Sequence, residues 1–474
     1  MDERLRKFFE PRSVVIVGAS STPHKPGNDV ILNILANGFS GNLYLVNPKG
    51  GQILGRRVYS TVAELPFGID VGVIILPASA NPGAIRECAN RGIEALVLVA
   101  GGFAEVDEEG ASLQRETVRA IQETGARVLG PNTSGLISMP KNFTPSFFPL
   151  GKVPSGRVSY IAQTGNFATH TLRYIMSAEN FGVCRVAGLG NKLDVDECEI
   201  LEYLGEDPET RAVLMYLESF KRPRRFVEVA KRISTLKPLF LLKGGSTEQG
   251  ARAATTHTAS LAADDGIIGG ALRQAGVVRL WKYNHLVLVA KGLSFMPLPR
   301  GRNVAILAPS GAMLVCLTDL CERHLGLHVP DLDDGSCRRL QAMSPSFIRM
   351  RNPVDIWPAV TLRGIEQAYR EGMEVVLNAP NIDAVLSVLM LTDETGVPSL
   401  DFLVDLAGRY REKPIYVACS GQRKHMAATK AFLEPRGVPT FWFAEEALEV
   451  LSFLSECREA MERQATWKRA ESEK

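Results

Sequence analysis

The sequence predicts an α/β protein built from several parallel sheets. Three features carry that prediction. Short β-branched runs alternate with longer amphipathic stretches along the whole chain, the pattern left when crossover helices cover both faces of a parallel sheet. The first run of each block ends in a turn of small residues that opens a helix. At 474 residues the chain is longer than one hydrophobic core usually serves, so two to four domains are expected.

Composition narrows the function. Lysine and arginine number 54 against 52 acids and no segment concentrates one sign, so neither nucleic acid nor a membrane surface has an electrostatic footprint here. The partner is expected to be a small molecule or a protein. Eight cysteines stand at irregular spacings without a CxxC pair, and no charged-then-apolar leader precedes Pro11, which predicts a reduced, cytoplasmic protein. No apolar run approaches the roughly 20 residues that span a bilayer. No cluster of side chains suggests a metal site.

Taken in order, the first block opens with a strand at Ser13 to Val17, turns at Gly18-Ala19-Ser20 and continues through strands near Leu43 to Val46, Val71 to Leu76, Ala95 to Val99 and Val128 to Leu129. Five strands with intervening helices make a Rossmann-like domain over residues 1–140. Pro140 to Pro154, rich in proline, phenylalanine and glycine and lacking either period, reads as a connector. A second block over residues 151–296 repeats the pattern at Arg157 to Ile161, Val183 to Gly188, Ala212 to Leu217 and Leu239 to Leu242, and is expected to be flavodoxin-like. A third, over residues 301–464, does so at Asn303 to Leu307, Ala384 to Met390, Ile415 to Ala418 and Thr440 to Phe443, closed by a helix from Ala444 to about Arg463. The shared order of strand, small-residue turn and helix suggests an internal duplication and a second flavodoxin-like domain. The charged tail after Thr466 is expected to fray.

The turn Val17-Gly18-Ala19-Ser20 feeds a helix around Asp29 to Asn37 and so offers backbone N–H groups to an anion at a positive helix end. It is not GxGxxG, and on its own it equally reads as a plain strand-to-helix connection. The second strand runs into Val46-Asn47-Pro48-Lys49, where an NAD site places an acid for the ribose hydroxyls. Lys49 attracts a phosphorylated ribose instead, so CoA and NADP both qualify.

Among seven histidines one stands apart. His257 lies in the small-residue stretch Gly250 to Ser260, after the strand Leu239 to Leu242 and the turn Lys243-Gly244-Gly245. A neutral imidazole can accept a phosphoryl group and pass it on, provided a carboxylate orients the ring and backbone amides hold the phosphoryl oxygens. Glu218, after the strand Val213 to Leu217, is placed for the first task, and Gln163-Thr164-Gly165-Asn166 for the second. The other reading of these residues is a loop cap and an ordinary hydrogen-bonding histidine.

Together these segments resemble the α subunit, or α half, of ADP-forming acyl-CoA synthetases, the group that includes succinyl-CoA synthetase. The resemblance covers nearly the whole chain and rests on the two turns above, Lys25-Pro26-Gly27, Gly130 to Gly135, Gly190 to Asp196, Asp207 to Thr210, Tyr216 to Ser219, the His257 stretch and Asn352-Pro353-Val354-Asp355. It implies that Gly18, Ala19, Ser20, Lys25, Asn47, Lys49, Pro77 and Asn132 bind CoA. It further implies that His257 carries the phosphoryl group, that Glu218 steadies it, and that Thr164, Gly165 and Asn166 head a phosphate-binding helix. The substrate implied is a small carboxylic acid or its acyl-CoA, and ATP or ADP with Mg²⁺ is expected on a partner ATP-grasp β subunit in a hetero-oligomer, since nothing after Arg463 is long enough for that module.

Three departures stand out. Thr256-His257-Thr258-Ala259 replaces Ser-His-Thr-Gly, Ala162-Gln163-Thr164-Gly165 replaces Ser-Gln-Ser-Gly, and the turn opening the third domain is reduced to Pro309-Ser310-Gly311-Ala312. A CoA-binding regulatory or scaffold protein with the same fold is therefore the alternative. An NADP-dependent oxidoreductase would leave blocks two and three unexplained, and a protein acetyltransferase would need a further domain.

Overall fold

The structure, a computed structural model, describes residues 2–250, 252, 264–394 and 398–472. The chain divides into two compact units, residues 1–286 with 464–474, and residues 287–463.

The first unit holds two sheets. The first comprises β1 (Ser13–Val17), β2 (Asn42–Val46), β3 (Gln52–Ile53), β4 (Arg56–Tyr59), β5 (Val71–Ile74), β6 (Ala95–Leu98) and β7 (Arg127–Leu129), in the order β3-β4-β2-β1-β5-β6-β7. Apart from the antiparallel β3, that is the 3-2-1-4-5-6 order of a Rossmann sheet. Alternate residues of a strand face opposite sides, and β1 is apolar throughout because both its faces are covered. Val15 and Val17 pack with Ile74, Leu96 and Val128. Val14 and Ile16 pack into a core that continues through Ile161, Val213 and Met215 of the second sheet. One core thus serves two sheets.

The second sheet comprises β8 (Leu136–Ser138), β9 (Val158–Ala162), β10 (Arg185–Gly188), β11 (Ala212–Leu217), β12 (Leu239–Lys243) and β13 (Val278–Leu280), in the order β13-β12-β11-β9-β10-β8. Its parallel strands follow the flavodoxin order 2-1-3-4-5. The added edge strand β8 runs antiparallel to β10, so the chain changes sheets upstream of the Pro140 boundary expected from composition.

The second unit carries β14 (Val304–Ala308), β15 (Val354–Asp355), β16 (Ala384–Leu391), β17 (Ile415–Gly421) and β18 (Thr440–Phe441), in the order β15-β14-β16-β17-β18. This is the same 2-1-3-4-5 order, all parallel, and it is the likeness of blocks two and three that a duplication requires. The buried Asn352 side chain ties the chain before β15 to β14, accepting from Ile306 N at 3.1 Å and donating to Val304 O at 3.1 Å. The last helix extends from Ala444 to Ser472, so the tail after Thr466 continues the helix where fraying was expected. No helix among the described residues is long and apolar enough to cross a membrane.

The join between the first two sheets is polar and buried. Arg185 on β10 meets Asp207 with both groups under 5% exposed (Nε–Oδ2 2.7 Å, Nη2–Oδ1 3.1 Å) and donates from Nη1 to Phe9 O at 3.1 Å and Ser138 Oγ at 2.6 Å. Burial works to raise the Asp207 carboxyl, and the bonds from Arg185 and Thr210 outweigh it, leaving it below its usual range. Breaking a buried pair from one side leaves an uncompensated charge, costing about 3–5 kcal/mol. Asp207→Ala is therefore expected to lower the urea midpoint strongly, and Arg185→Met/Asp207→Leu to lower it less. Because the carboxyl is depressed, its contribution is present above about pH 4 and is lost as acid titrates it.

Candidate functional site

A doubly wound parallel sheet opens a crevice at the carboxyl ends of its strands where successive connections leave the central strand in opposite directions. In the first sheet that point lies between β1 and β5. A cleft of about 560 Å³ sits there, lined by Val17, Gly18, Val46, Pro48, Ser60–Ala63, Leu76, Glu87, Asn90 and Arg91. Gly18 has φ +96°, and a Cβ built on it would lie 2.2 Å from Ile75 O, so this turn admits no side chain. Gly27, on the following helix Pro26–Ala36, packs equally close, its Cβ position 2.2 Å from Gly18 O.

The structure gathers most of the residues expected here. Gly18 N and Ala19 N both donate to Val46 O (3.0 and 3.1 Å), Asn47 Nδ2 donates to Ala19 O at 2.9 Å, and Asn47 Oδ1 accepts from Lys49 N at 3.0 Å. Ser20 accepts from Thr22 N at Oγ and from Asn28 Nδ2 at its carbonyl. Lys25 caps the helix without a side-chain hydrogen bond, and Lys25 and Lys49 are exposed. Pro77 directly follows the cleft residue Leu76. Asn132 stands apart: its amide donates to Ala100 O at 2.8 Å and its side chain reaches Asn191 at 3.4 Å, with no bond to the Gly18 turn. The cleft's far wall, Ser60–Ala63 and Glu87 to Arg91, carries no sequence signal, because it comes from a single 3₁₀ turn and the end of a helix.

In the second sheet the corresponding crevice lies between β9 and β11, and it brings Gln163–Asn166 beside Glu218 and Ser219. Gln163 Oε1 accepts from Glu218 N at 3.0 Å and Ser219 N at 3.1 Å. Thr164 Oγ1 accepts from Asn166 N at 3.1 Å, so threonine reproduces the turn a serine would make, and the exposed Gly165 faces open space. Glu218 is half-buried. The Tyr216 hydroxyl donates to its Oε1 at 3.1 Å, and burial together with the nearby carboxylate raises that phenol far above its ordinary range, keeping it a donor. Glu218 Oε2 is buried with no hydrogen-bond partner among the described residues. Lys243 Nζ donates to Glu218 O at 2.7 Å, and burial lowers its pKa. Gly244 lies so close that a Cβ there would be 2.7 Å from Tyr216 Oη and 3.2 Å from Glu218 Cγ. His257 and Ala259 lie outside the described residues.

Sequence reasoning passed over Lys192, Tyr216 and Lys243 as site residues. Lys192 lies in the segment Gly190 to Asp196, named only for its resemblance to the family; it is 5% exposed and pairs with the fully buried Glu197 at 3.0 Å. The turn opening the third sheet, with Ser310 Oγ accepting from Met313 N at 3.4 Å, caps the helix Gly311–Leu320.

Residues 12–139 match a CoA binding domain and residues 155–293 match the succinyl-CoA ligase like flavodoxin domain. Over 462 residues the chain is 34% identical to the α subunit of acetate–CoA ligase (ADP-forming) I of Pyrococcus furiosus, covering 95% of this chain and 97% of that one. It is also 34% identical to acetate–CoA ligase (ADP-forming) II of Archaeoglobus fulgidus over 94% of its own length, and spans 66% of that longer protein. Among solved structures, the dinucleotide-forming acetyl-coenzyme A synthetase 1 of Ca. Korarchaeum cryptofilum, in complex with phosphate and ADP, matches over 98% of both chains with a TM-score of 0.88 and 30% identity.

A residue forced into a backbone region closed to it costs about 1–3 kcal/mol. Gly18→Ala is accordingly expected to lower the unfolding free energy by that amount, with a lower denaturation midpoint, and to displace the β1 turn from Ile75 in a crystal structure. An unchanged midpoint with an unmoved turn would contradict the geometry.

Proposed function

We propose, from the premise that this chain belongs to the α-subunit type of the ADP-forming acetate–CoA ligase family within the succinyl-CoA synthetase superfamily, that it interconverts an acyl-CoA and a small carboxylic acid through acyl phosphate and a phosphohistidine at His257. The observation that carries this reading is the buried carboxylate oxygen of Glu218, which lacks a partner among the described residues. A buried carboxylate oxygen needs a donor, and the free ring N–H of a phosphorylated imidazole is a donor of the required kind.

The chemistry divides between the two crevices. CoA is held at the β1 turn, where Gly18, having no side chain, lets its phosphates come close to the backbone and Lys49 attracts the ribose phosphate; Ala19, Ser20, Lys25, Asn47, Pro77 and Asn132 complete the proposed contacts. Inorganic phosphate attacks the thioester carbonyl, the C–S bond breaks, and CoA leaves as the thiol with the phosphate's proton. The His257 ring nitrogen then attacks phosphorus and the carboxylate departs. The backbone amides of Thr164, Gly165 and Asn166 hold the phosphoryl oxygens, and Glu218 fixes the ring by accepting from its other nitrogen. Finally a terminal oxygen of ADP attacks phosphorus, giving ATP and free His257.

The last step uses a partner ATP-grasp subunit that brings the nucleotide with Mg²⁺, supported by full-length likeness to a chain named as an α subunit. The eight cysteines form no disulfide, which suits work in a reducing cytoplasm.

With its partner present, the chain is expected to make ATP from ADP, phosphate and acetyl-CoA. His257→Ala should abolish turnover while CoA binding by calorimetry stays intact. Glu218→Gln keeps shape and removes the charge, and losing one positioned group costs about 10²–10⁴ in rate. Lys49→Glu should weaken CoA binding, and added salt should weaken binding to the unsubstituted chain. Turnover retained by His257→Ala would overturn the reading.

A further inference from the structure

We propose that Lys192 is a positioning residue for Glu218, acting through the side chain of Gln163. Lys192 Nζ lies 3.2 Å from Gln163 Oε1, 2.7 Å from Ser219 O and 3.3 Å from Ser219 Oγ, and pairs with Glu197 Oε2 at 3.0 Å. Its ammonium is therefore surrounded by acceptors in a buried setting. Gln163 is 5% exposed and its amide oxygen faces three donors: Lys192 Nζ, Glu218 N and Ser219 N. Its amide nitrogen donates to Ser219 Oγ at 3.1 Å. A flipped amide would turn NH₂ against three donors, so the cation and the two backbone amides together fix which way Gln163 points.

That orientation sets Glu218. The Glu218 and Ser219 amides, just past the last residue of β11, hang on the same amide oxygen, which fixes the direction in which the Glu218 side chain leaves the backbone. Tyr216 then holds one carboxylate oxygen, leaving the other to face its ligand. Lys192 takes φ +54°, a left-handed conformation disfavoured for a side chain of this length. The loop that carries it is held there: Lys221 Nζ donates to the carbonyls of Lys192, Leu193 and Asp194, and Lys221 N donates to Glu197 Oε1 at 2.7 Å. Asn191 N and Leu193 N donate to Pro131 O and Gly130 O (2.9 and 3.1 Å). One loop thereby runs from the end of β7 in the first sheet to the Gln163 crevice of the second.

This inference rests on the role given above to Glu218, and the experiment separates the two. The readout is the rate at which the full chain takes up label from acetyl-CoA and labelled inorganic phosphate, with CoA affinity measured in parallel. Lys192→Met/Glu197→Gln removes both charges and leaves neither buried alone. It is expected to slow labelling by about 10- to 100-fold, the scale of a small misplacement of a reacting group, with CoA affinity within about twofold. In a Glu218→Gln background the same two substitutions should change the rate by less than about twofold, because groups acting as one unit are not additive. Gln163→Met, which leaves the ion pair intact, should show the same non-additivity and serves if the double variant does not fold. Equal slowing in both backgrounds, or no slowing in the first, would overturn the inference. An unsubstituted chain that takes no label would overturn the phosphohistidine reading and this inference with it.

Discussion

Everything in the first unit depends on how a parallel sheet closes its edges. Wound outward from a central strand in both directions, it leaves one pair of neighbouring strands whose following loops diverge, and that gap is a crevice at the carboxyl ends of the strands. In the first sheet the gap lies after β1 and in the second after β9. Both gaps are bordered by turns that tolerate close approach: Gly18, with no room for a side chain, and Gly165, with open space before it. The two sheets share one apolar core, so the crevices are held in a fixed relation by packing, by the bond from Arg185 to Phe9 O and by the Arg127 ion pairs. Arg127 on β7 reaches Asp194 at 2.8 Å and Glu199 at 2.9 Å.

The second crevice shows how a site can be built mostly from groups with weak individual signatures. Glu218 is marked in the sequence only by its place after a strand. It becomes specific because its backbone is fixed by Gln163, one carboxylate oxygen by Tyr216 and its carbonyl by Lys243. Tyr216 holds one carboxylate oxygen while the other is buried without a partner among the described residues, and that is the physical basis of the role proposed for Glu218. The departures from the family pattern are mild where the structure describes them. Thr164 still makes its turn through Oγ1, and Ser310 still caps its helix.

Much of the fold was legible because central strands buried on both faces read as continuous apolar runs, as β1, β9, β11 and β16 do. The strands that escaped notice are short or polar. In β4, Arg56 and Arg57 are exposed, β15 has two residues, and β8 has three, just upstream of the segment whose prolines suggested a connector. At the site, Gly18, Lys49, Glu218 and the Gln163 turn stood out because each follows a recognisable strand. Lys192 did not, since a lysine after Gly190-Asn191 looks solvated. Only the fold reveals that Glu197, five residues on, is buried against it. His257 lies outside the described residues, so its proposed role rests on its sequence surroundings and on the unmet oxygen of Glu218.

The most direct test of that role is to find the phosphate. The chain, incubated with its partner and labelled ATP and digested under alkaline conditions, should yield one phosphorylated peptide. It should contain His257, its label should be lost in acid and kept in base, and free ADP should discharge it. Label on any other residue, or a stable label that ADP cannot remove, would contradict the account.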